Sequence, residues 1–259
     1  MAVCSRYVEV FAGMAWVYLT KPRARENVVN DINGNLINLF SVARDQPEEL
    51  VRLVELTPYA RSQYNDWYNL YFKRKEEFTQ LSPLKRAVIY YFILHSAYNS
   101  ELITHPKLDT VSFKSSGSWG SPGMLDNIRQ WSKWTQGTVF LNMDYKEVIE
   151  RFASPETLFY LDPPYTVAEN RSHYEFNFNE SEHKELAERI KLCSSNTASK
   201  FVISYDDSEL IKKLYKEEPF HITVIKDVFQ SASSANAELT YKNELVITNF
   251  HPLKVGLFE

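Results

Sequence analysis

Apolar residues along the chain follow two spacings. Large apolar side chains form short runs that are typical of strands, at 7–11, 28–31, 137–142, 157–161, 201–205, 222–229 and 244–250. Between 36 and 98 they recur every three or four positions, which indicates helices, with starts at Pro47 and Ser82-Pro83. Strands that alternate with helices and end in two closing strands predict an α/β fold. We expect a mostly parallel sheet with an antiparallel pair at one edge.

A helical segment interrupts this alternation between 52 and 136. We therefore predict a mainly helical insert within an α/β domain that is formed by 1–51 and 137–259. The stretch 104–122 lacks helical spacing and predicts a loop with a short strand. Its aromatic residue Trp119 either contacts DNA or belongs to a plain solvent loop.

Two local patterns predict where further helices begin. Asn179 is followed at the third position by Glu182, which is typical of a capping box. Asp144 precedes a segment, 146–152, with helical character, and its side chain could cap that helix.

The strand 157–161 ends at an unusual loop. The strand has no polar break, which is typical of a strand that is covered on both faces. Pro163 and Pro164 cannot donate to a strand ladder, so pairing must end at Asp162, and the loop is stiff because proline fixes φ. The loop would present a carboxylate, main-chain carbonyls and the Tyr165 ring, a set that suits an exocyclic amine on a planar base. Alternatively, the prolines only terminate the strand and the tyrosine packs against the protein, without a chemical role.

A second candidate site follows the first strand. The turn Ala12-Gly13-Met14-Ala15 consists of small residues and one Met, and small residues let a backbone approach a ligand closely. A strand, a glycine turn and a helix form the ligand-binding corner of nucleotide-type folds. Asp31 ends the next strand about twenty residues later, the position at which dinucleotide folds bind ribose hydroxyls. Alternatively, Asp31 or Asn33 caps the following helix.

Asp162-Pro163-Pro164-Tyr165 after an apolar strand resembles the catalytic motif of amino-methyltransferases, in the form typical of N6-adenine DNA methyltransferases. The stretches 7–13 and 30–33 resemble, in order and spacing, the S-adenosylmethionine site of the Dam-type members. The resemblance implies a Rossmann-like methyltransferase domain whose helical insert recognises the DNA target. It also implies methyl transfer from S-adenosyl-L-methionine to the N6 amine of an adenine that is flipped out of the duplex.

The resemblance assigns roles to individual residues. Asp162 and the Pro163 carbonyl would accept the amine hydrogens, Tyr165 would stack on the base, and Pro164 completes the motif. Phe11, Ala12 and Gly13 would line the pocket for the methionine and adenosine parts of the cofactor. Asp31 would bind the ribose next to Ile32, and Asp144 and Tyr145 would lie near the cofactor adenine. The capping role of Asp144 is compatible with this assignment.

One departure from the family concerns cofactor affinity. Family members carry a Trp-x-Gly-Gly-Lys-like segment before the first strand, whereas this sequence has six residues there. Either the segment is lost, or this sequence starts late, or the cofactor is bound differently. Without that lysine the cofactor carboxylate would lose a charge-assisted partner worth roughly 1.5–3 kcal/mol. Two alternative functions therefore stay open: methylation of RNA or another planar amine, and DNA binding by a catalytically impaired relative. A restriction endonuclease counterpart also stays open.

Charge is unevenly distributed along the chain. The net charge is −4, yet the segment 52–136 contains eleven Lys or Arg and seven Asp or Glu, which leaves −8 for the remainder. The same segment holds fifteen of the thirty-seven Phe, Trp and Tyr residues. Basic and aromatic residues together suit a nucleic-acid surface, although helical core packing explains any one ring equally well.

Composition bounds the class of protein. The 259 residues are 44% hydrophobic and 24% charged, which is ordinary for a globular protein, and we expect no membrane span. The first residues lack the layout of a signal peptide. Cys4 and Cys193 are too few for a metal cluster and fit a reducing compartment, so we expect a cytoplasmic protein without a bound metal.

Overall fold

A computed structural model describes residues 4–96, 119–165, 178–229 and 241–251. Its strands form one sheet of seven strands in the order β3-β2-β1-β4-β5-β7-β6. The strands are β1 (Arg6–Glu9), β2 (Glu26–Asn30), β3 (Val139–Leu141), β4 (Thr157–Leu161), β5 (Lys200–Asp206), β6 (His221–Phe229) and β7 (Tyr241–Thr248). β1 pairs in parallel with β2 and β4, and β4 with β5, whereas β7 is antiparallel to β5 and β6. The predicted mostly parallel α/β sheet with an antiparallel edge is confirmed.

The described residues form ten helices. They are α1 (Trp16–Thr20), α2 (Gly34–Asp45), α3 (Pro47–Leu56), α4 (Arg61–Lys73), α5 (Lys75–Gln80), α6 (Pro83–Ser96), α7 (Pro122–Trp134), α8 (Tyr145–Phe152), α9 (Glu180–Thr197) and α10 (Glu209–Leu214). The capping box at α9 is confirmed, because Asn179 accepts from the Glu182 amide and the Glu182 carboxylate accepts from the Asn179 amide. Within the described part of the chain, no helix is both long and apolar enough to cross a membrane.

The two faces of the central strands differ in burial. Side chains alternate along a strand, so every second residue of β4, β5 and β7 lies on the same face. One face is completely buried, and its ring pair Phe159 and Phe201 stacks at 4.9 Å between centroids. The other face is only half-buried at Leu158, Tyr160 and Ser204. The expectation that β4 is covered on both faces is therefore wrong for one face, which carries hydroxyl groups that an apolar layer would leave unsatisfied.

The Cα positions divide the chain into two compact units. One comprises Met1–Ile32, Met143–Arg171 and Phe176–Glu259, and the other comprises Asn33–Asn142 and Ser172–Glu175. The second unit is wider than the predicted insert 52–136, because α2 and the strand Val139–Leu141 group with the helices. Its two ends lie together: a Cβ on Gly34 would be 2.9 Å from Asn142 Oδ1.

Aromatic rings form much of the core of the helical unit. Trp119 lies among Tyr59, Tyr91, Phe92 and His95, and its indole N–H donates to the Thr57 carbonyl at 3.0 Å. Of the two interpretations of the stretch 104–122, neither an exposed ring that contacts DNA nor a plain solvent loop describes this packed ring. Residues 104–118 of that stretch, and the Tyr98 end predicted for α6, lie outside the described residues.

α7 is a helix that the sequence pattern did not predict. Ser121 caps it by accepting a hydrogen bond from the Met124 amide at 3.4 Å, and Pro122 occupies its first turn. These two residues are a helix-start signal, which the irregular stretch before them obscured.

Candidate active site

The proline-rich loop lies at the carboxyl edge of the parallel strands. β4 pairs with β1 from Arg6 to Glu9 and with β5 up to Ile203, so these strands end close together, where open α/β sheets bind ligands. Strand pairing stops at Leu161, as the two prolines require. Asp162 is exposed, Pro163 is buried, and Tyr165 is half-buried.

Asp162 and Tyr165 lie together at this edge. Protein atoms around the carboxylate raise the pKa of Asp162 to about 6, a hydrogen bond from Tyr165 opposes the shift, and the Glu244 charge adds to it. The residue as a whole is nevertheless exposed, so Asp162 lies at the surface of this edge although protein atoms enclose much of its carboxylate. Burial also raises the pKa of Tyr165, whose hydroxyl lies 3.2 Å from Ser204 Oγ. A carboxylate with a pKa near neutrality is typical of functional sites.

The glycine turn brings two predicted residues together. The amide of Gly13 donates to Asp31 Oδ2 at 2.9 Å, across eighteen positions of sequence. Gly13 has a φ of +47°, which favours glycine, and a Cβ there would meet nothing within 4 Å. Of the two candidate caps for α2, Asn33 takes the role by accepting from the amides of Asn35 and Leu36. Asp31 instead bonds the turn.

Asn30 is a scaffold residue that sequence reasoning missed. Its side chain is 1% exposed and donates to the carbonyls of Val10 at 2.9 Å and Met143 at 3.1 Å. Its amide oxygen accepts from the Met143 amide at 3.0 Å, and its main-chain carbonyl accepts from Ala12. One buried amide therefore ties the segment before Phe11 to the segment before Asp144.

Phe11 and Tyr145, both predicted to bind the cofactor, are neighbours. Their ring centroids are 5.5 Å apart, and Phe178 packs against both. Tyr145 is 7% exposed, burial raises its pKa, and its buried hydroxyl has no hydrogen-bond partner among the described residues. Asp144 caps α8 by accepting from the Lys146 amide at 2.9 Å, so its capping role is confirmed.

The residues around the glycine turn fit a nucleoside ligand. The turn has open space at Gly13 and a carboxylate at Asp31. Met14 and Ile32 are 45% and 43% exposed, so apolar surface is available for a flat ring. A carboxylate can accept several hydrogen bonds, and the Gly13 contact is compatible with bonds to ribose hydroxyls. Among the residues that the structure describes, no group of His, Cys, Asp or Glu could hold a metal ion.

Comparison with known proteins relates this geometry to a family. Residues 3–230 match the model of the D12 class N6 adenine-specific DNA methyltransferases. A DNA adenine methylase of Haemophilus influenzae is 24% identical over 249 residues, which cover 94% of this chain and 84% of that protein. A type II methyltransferase of Lactococcus lactis subsp. cremoris is 25% identical, with coverages of 86% and 79%. A DNA adenine methylase of Salmonella typhimurium is 26% identical, with coverages of 86% and 80%.

The family match extends over both compact units and includes every residue that the sequence singled out for chemistry. It implies a methyl donor and a DNA substrate. The chain belongs to the D12 class N6 adenine-specific DNA methyltransferase family.

Proposed function

We propose that the chain transfers a methyl group from S-adenosyl-L-methionine to the N6 amine of adenine in DNA. The observation that carries the proposal is the loop Asp162-Pro163-Pro164-Tyr165, whose carboxylate follows a parallel strand of a chain in this family. The N6 amine is inaccessible inside a duplex, so the adenine must be flipped into the site.

Asp162 would act as a hydrogen-bond acceptor for the amine. Together with the Pro163 carbonyl, it would hold both amine hydrogens, which leaves the nitrogen lone pair directed away from the ring plane. Tyr165 would stack on the flipped base, and Pro164 would keep the loop extended. The carboxylate must be ionised to accept, and a pKa of about 6 leaves it mainly ionised at pH 7.5.

The cofactor would lie against the glycine turn. Phe11, Ala12 and Gly13 would contact it through the backbone and one ring, and Asp31 would accept the ribose hydroxyls beside Ile32. Asp144 and Tyr145 would lie at its adenine. S-adenosyl-L-methionine supplies, when bound, a methyl group on a sulfonium that an amine nitrogen can attack. The contacts of Gly13 with Asp31 and of Phe11 with Tyr145 support this assignment.

DNA would be recognised by the helical segment 52–136. Its net charge of +4 supports this role, and Lys73, Arg74, Lys75 and Lys85 are exposed on it. Lys85 also covers the Trp67 ring, 4.9 Å from its centroid. The type II name of one relative supports a restriction endonuclease counterpart, which stays a prediction.

The proposal is tested with labelled S-adenosyl-L-methionine and adenine-containing duplex DNA. We expect the parent protein to methylate adenine, and Asp162→Asn to be slower by about 10²–10³-fold, the usual effect of losing one preorganised hydrogen-bonding group. Asp45→Asn, on the exposed end of α2, is the matched control. Sequencing of modified bases in DNA from expressing cells identifies the target.

Three outcomes would redirect the assignment. An Asp162→Asn protein that keeps the parental rate removes Asp162 from the reaction. Faster methylation of matched RNA would make RNA the substrate. Absence of calorimetric binding of S-adenosyl-L-methionine, with DNA binding retained, would leave a DNA-binding relative without activity.

A further inference from the structure

Tyr165 is the least constrained member of the catalytic loop. The prolines fix the backbone before it, but they leave its ring free to rotate about two side-chain bonds. A ring that stacks on a flipped base must be held in one position before the base arrives. Among the described residues, two groups of β5 reach Tyr165 from outside the loop: the Tyr205 ring, 6.3 Å away between centroids, and the Ser204 hydroxyl, 3.2 Å from the Tyr165 hydroxyl. Of these, Ser204 provides the hydrogen bond.

Ser204 lies on the neighbouring strand and faces the loop. In the parallel ladder, Tyr160 of β4 is paired with Val202 of β5, so Ser204 lies two residues further along β5 and on the same sheet face. This is the half-buried face of the sheet. A hydroxyl here lies beside the end of β4, where Asp162 begins the loop.

Ser204 reaches the loop through one side-chain contact. Its Oγ lies 3.2 Å from the Tyr165 hydroxyl, and a serine hydroxyl can either donate to or accept from a phenol. Tyr160 of β4 lies on the same sheet face as Ser204. The contact therefore joins β5 directly to the loop that carries Asp162.

We propose that Ser204 is a positioning residue for methyl transfer, which anchors the hydroxyl end of Tyr165 and so fixes the position of the ring that receives the flipped adenine. The inference rests on the proposed function, because it assigns a role to the same loop. Ser204 acts through Tyr165 and not through the substrate.

Ser204→Ala is the first variant, with Ser195→Ala on the exposed side of α9 as the matched control. We expect kcat to fall about three- to tenfold, the range for losing one neutral hydrogen bond. The affinity for S-adenosyl-L-methionine should stay within twofold of the parent, because Ser204 contacts none of the residues at the glycine turn. Ser204→Thr keeps a hydroxyl and suits a strand, so it should restore at least half of the lost rate.

A double-mutant cycle separates positioning from general support of the fold. In a Tyr165→Phe background there is no ring hydroxyl to hold, so Ser204→Ala should have little further effect. Base flipping is followed in parallel with a duplex that carries 2-aminopurine at the target adenine. The 2-aminopurine fluorescence of the protein–DNA complex should differ from that of the parent complex in Ser204→Ala, because the flipped base is held less firmly. In Ser204→Thr it should equal the parental value. Ser204→Cys, which keeps the side-chain size, replaces Ser204→Ala if that variant melts early.

Each outcome decides the proposal. Additive effects in the cycle, a parental kcat for Ser204→Ala, or an equal loss in Ser204→Thr would overturn it while leaving the methyltransferase assignment intact. A parent protein that methylates no nucleic acid would overturn both.

Discussion

The glycine turn and the loop Asp162-Pro163-Pro164-Tyr165, which we propose to be catalytic, lie at the same edge of the sheet, yet they are held in different ways. The turn is fixed by buried hydrogen bonds to main-chain groups, with Asn30 at their centre. The loop is fixed by proline and by hydroxyls around the carboxylate of Asp162. The hydrogen bonds of Asn30 make the turn a rigid scaffold. The groups around the loop instead set the charge of Asp162 and the position of the Tyr165 ring. Variants of the turn should therefore change binding, and variants of the loop should change the rate.

Asn30→Asp is expected to show the largest difference between an effect on cofactor binding and an effect on the rate. The variant has almost the same shape, but it replaces the amide donor by an oxygen that faces the Val10 and Met143 carbonyls. We expect a loss of about 1–3 kcal/mol in unfolding free energy, because the buried acceptors lose their donor. Affinity for S-adenosyl-L-methionine should fall about tenfold to a hundredfold, as calorimetry would measure.

Asn196→Asp on the exposed surface of α9 is the control for Asn30→Asp, and it should keep the parental melting temperature and affinity. An Asn30→Asp protein with a lower kcat and unchanged cofactor affinity would contradict the expectation that variants of the turn change binding and variants of the loop change the rate.

A smaller effect is expected from Asp31→Asn. This variant keeps an acceptor near the Gly13 amide but loses the negative charge, so bonds to ribose hydroxyls weaken. We expect the KM for S-adenosyl-L-methionine to rise about tenfold, with kcat at saturation within twofold of the parent. Steady-state kinetics at several cofactor concentrations checks this. A change in kcat alone would assign Asp31 to the chemistry instead.

The smallest effect concerns pH. Desolvation raises the pKa of Asp162 to about 6, so half of kcat should be lost near pH 6 and about tenfold more for each unit below it. Burial likewise raises the pKa of Glu9, to about 7, and this residue titrates in an overlapping range. Glu9→Gln separates the two titrations: if Asp162 controls the rate, this variant should still lose kcat near pH 6. A profile that is flat from pH 5 to 8 at saturating substrates would contradict the acceptor role.

Stability should follow the opposite direction to activity. The folded protein raises the Asp162 pKa above the value of 3.8 for an unperturbed Asp, so the protonated form is favoured by folding. The Asp162 contribution to stability is present below pH 4 and is lost as pH rises through about 6. Asp162→Asn should thus remove this part of the pH dependence, as melting curves would show, and it should not lower the melting temperature at pH 8.

Much of the fold could be predicted because burial leaves local patterns. The strand 157–161 was predicted with the bounds that β4 has, since its apolar run and its prolines are adjacent in sequence. The Asn179 capping box is equally local. The bond between Gly13 and Asp31 agrees with the spacing that suggested their common role.

The missed parts depend on contacts between distant residues. Asn30 and Met143 are 113 positions apart, and Tyr165 and Ser204 are 39 apart. No local spacing relates such residues, because tertiary packing alone brings them together. The half-buried sheet face was also missed, since the apolar run of β4 does not reveal that Leu158 and Tyr160 are only partly covered.

The meeting of Gly34 and Asn142 has a consequence for how this family diversifies. A side chain at position 34 would require the Asn142 side chain to shift, because Asn142 Oδ1 lies 2.9 Å from where a Cβ would be. The helical unit therefore leaves and rejoins the rest of the chain at adjacent points. A segment whose ends meet can be exchanged as one cassette between homologues, with two neighbouring junctions to repair. Inheritance of the catalytic edge and inheritance of the helical unit can then follow separate histories.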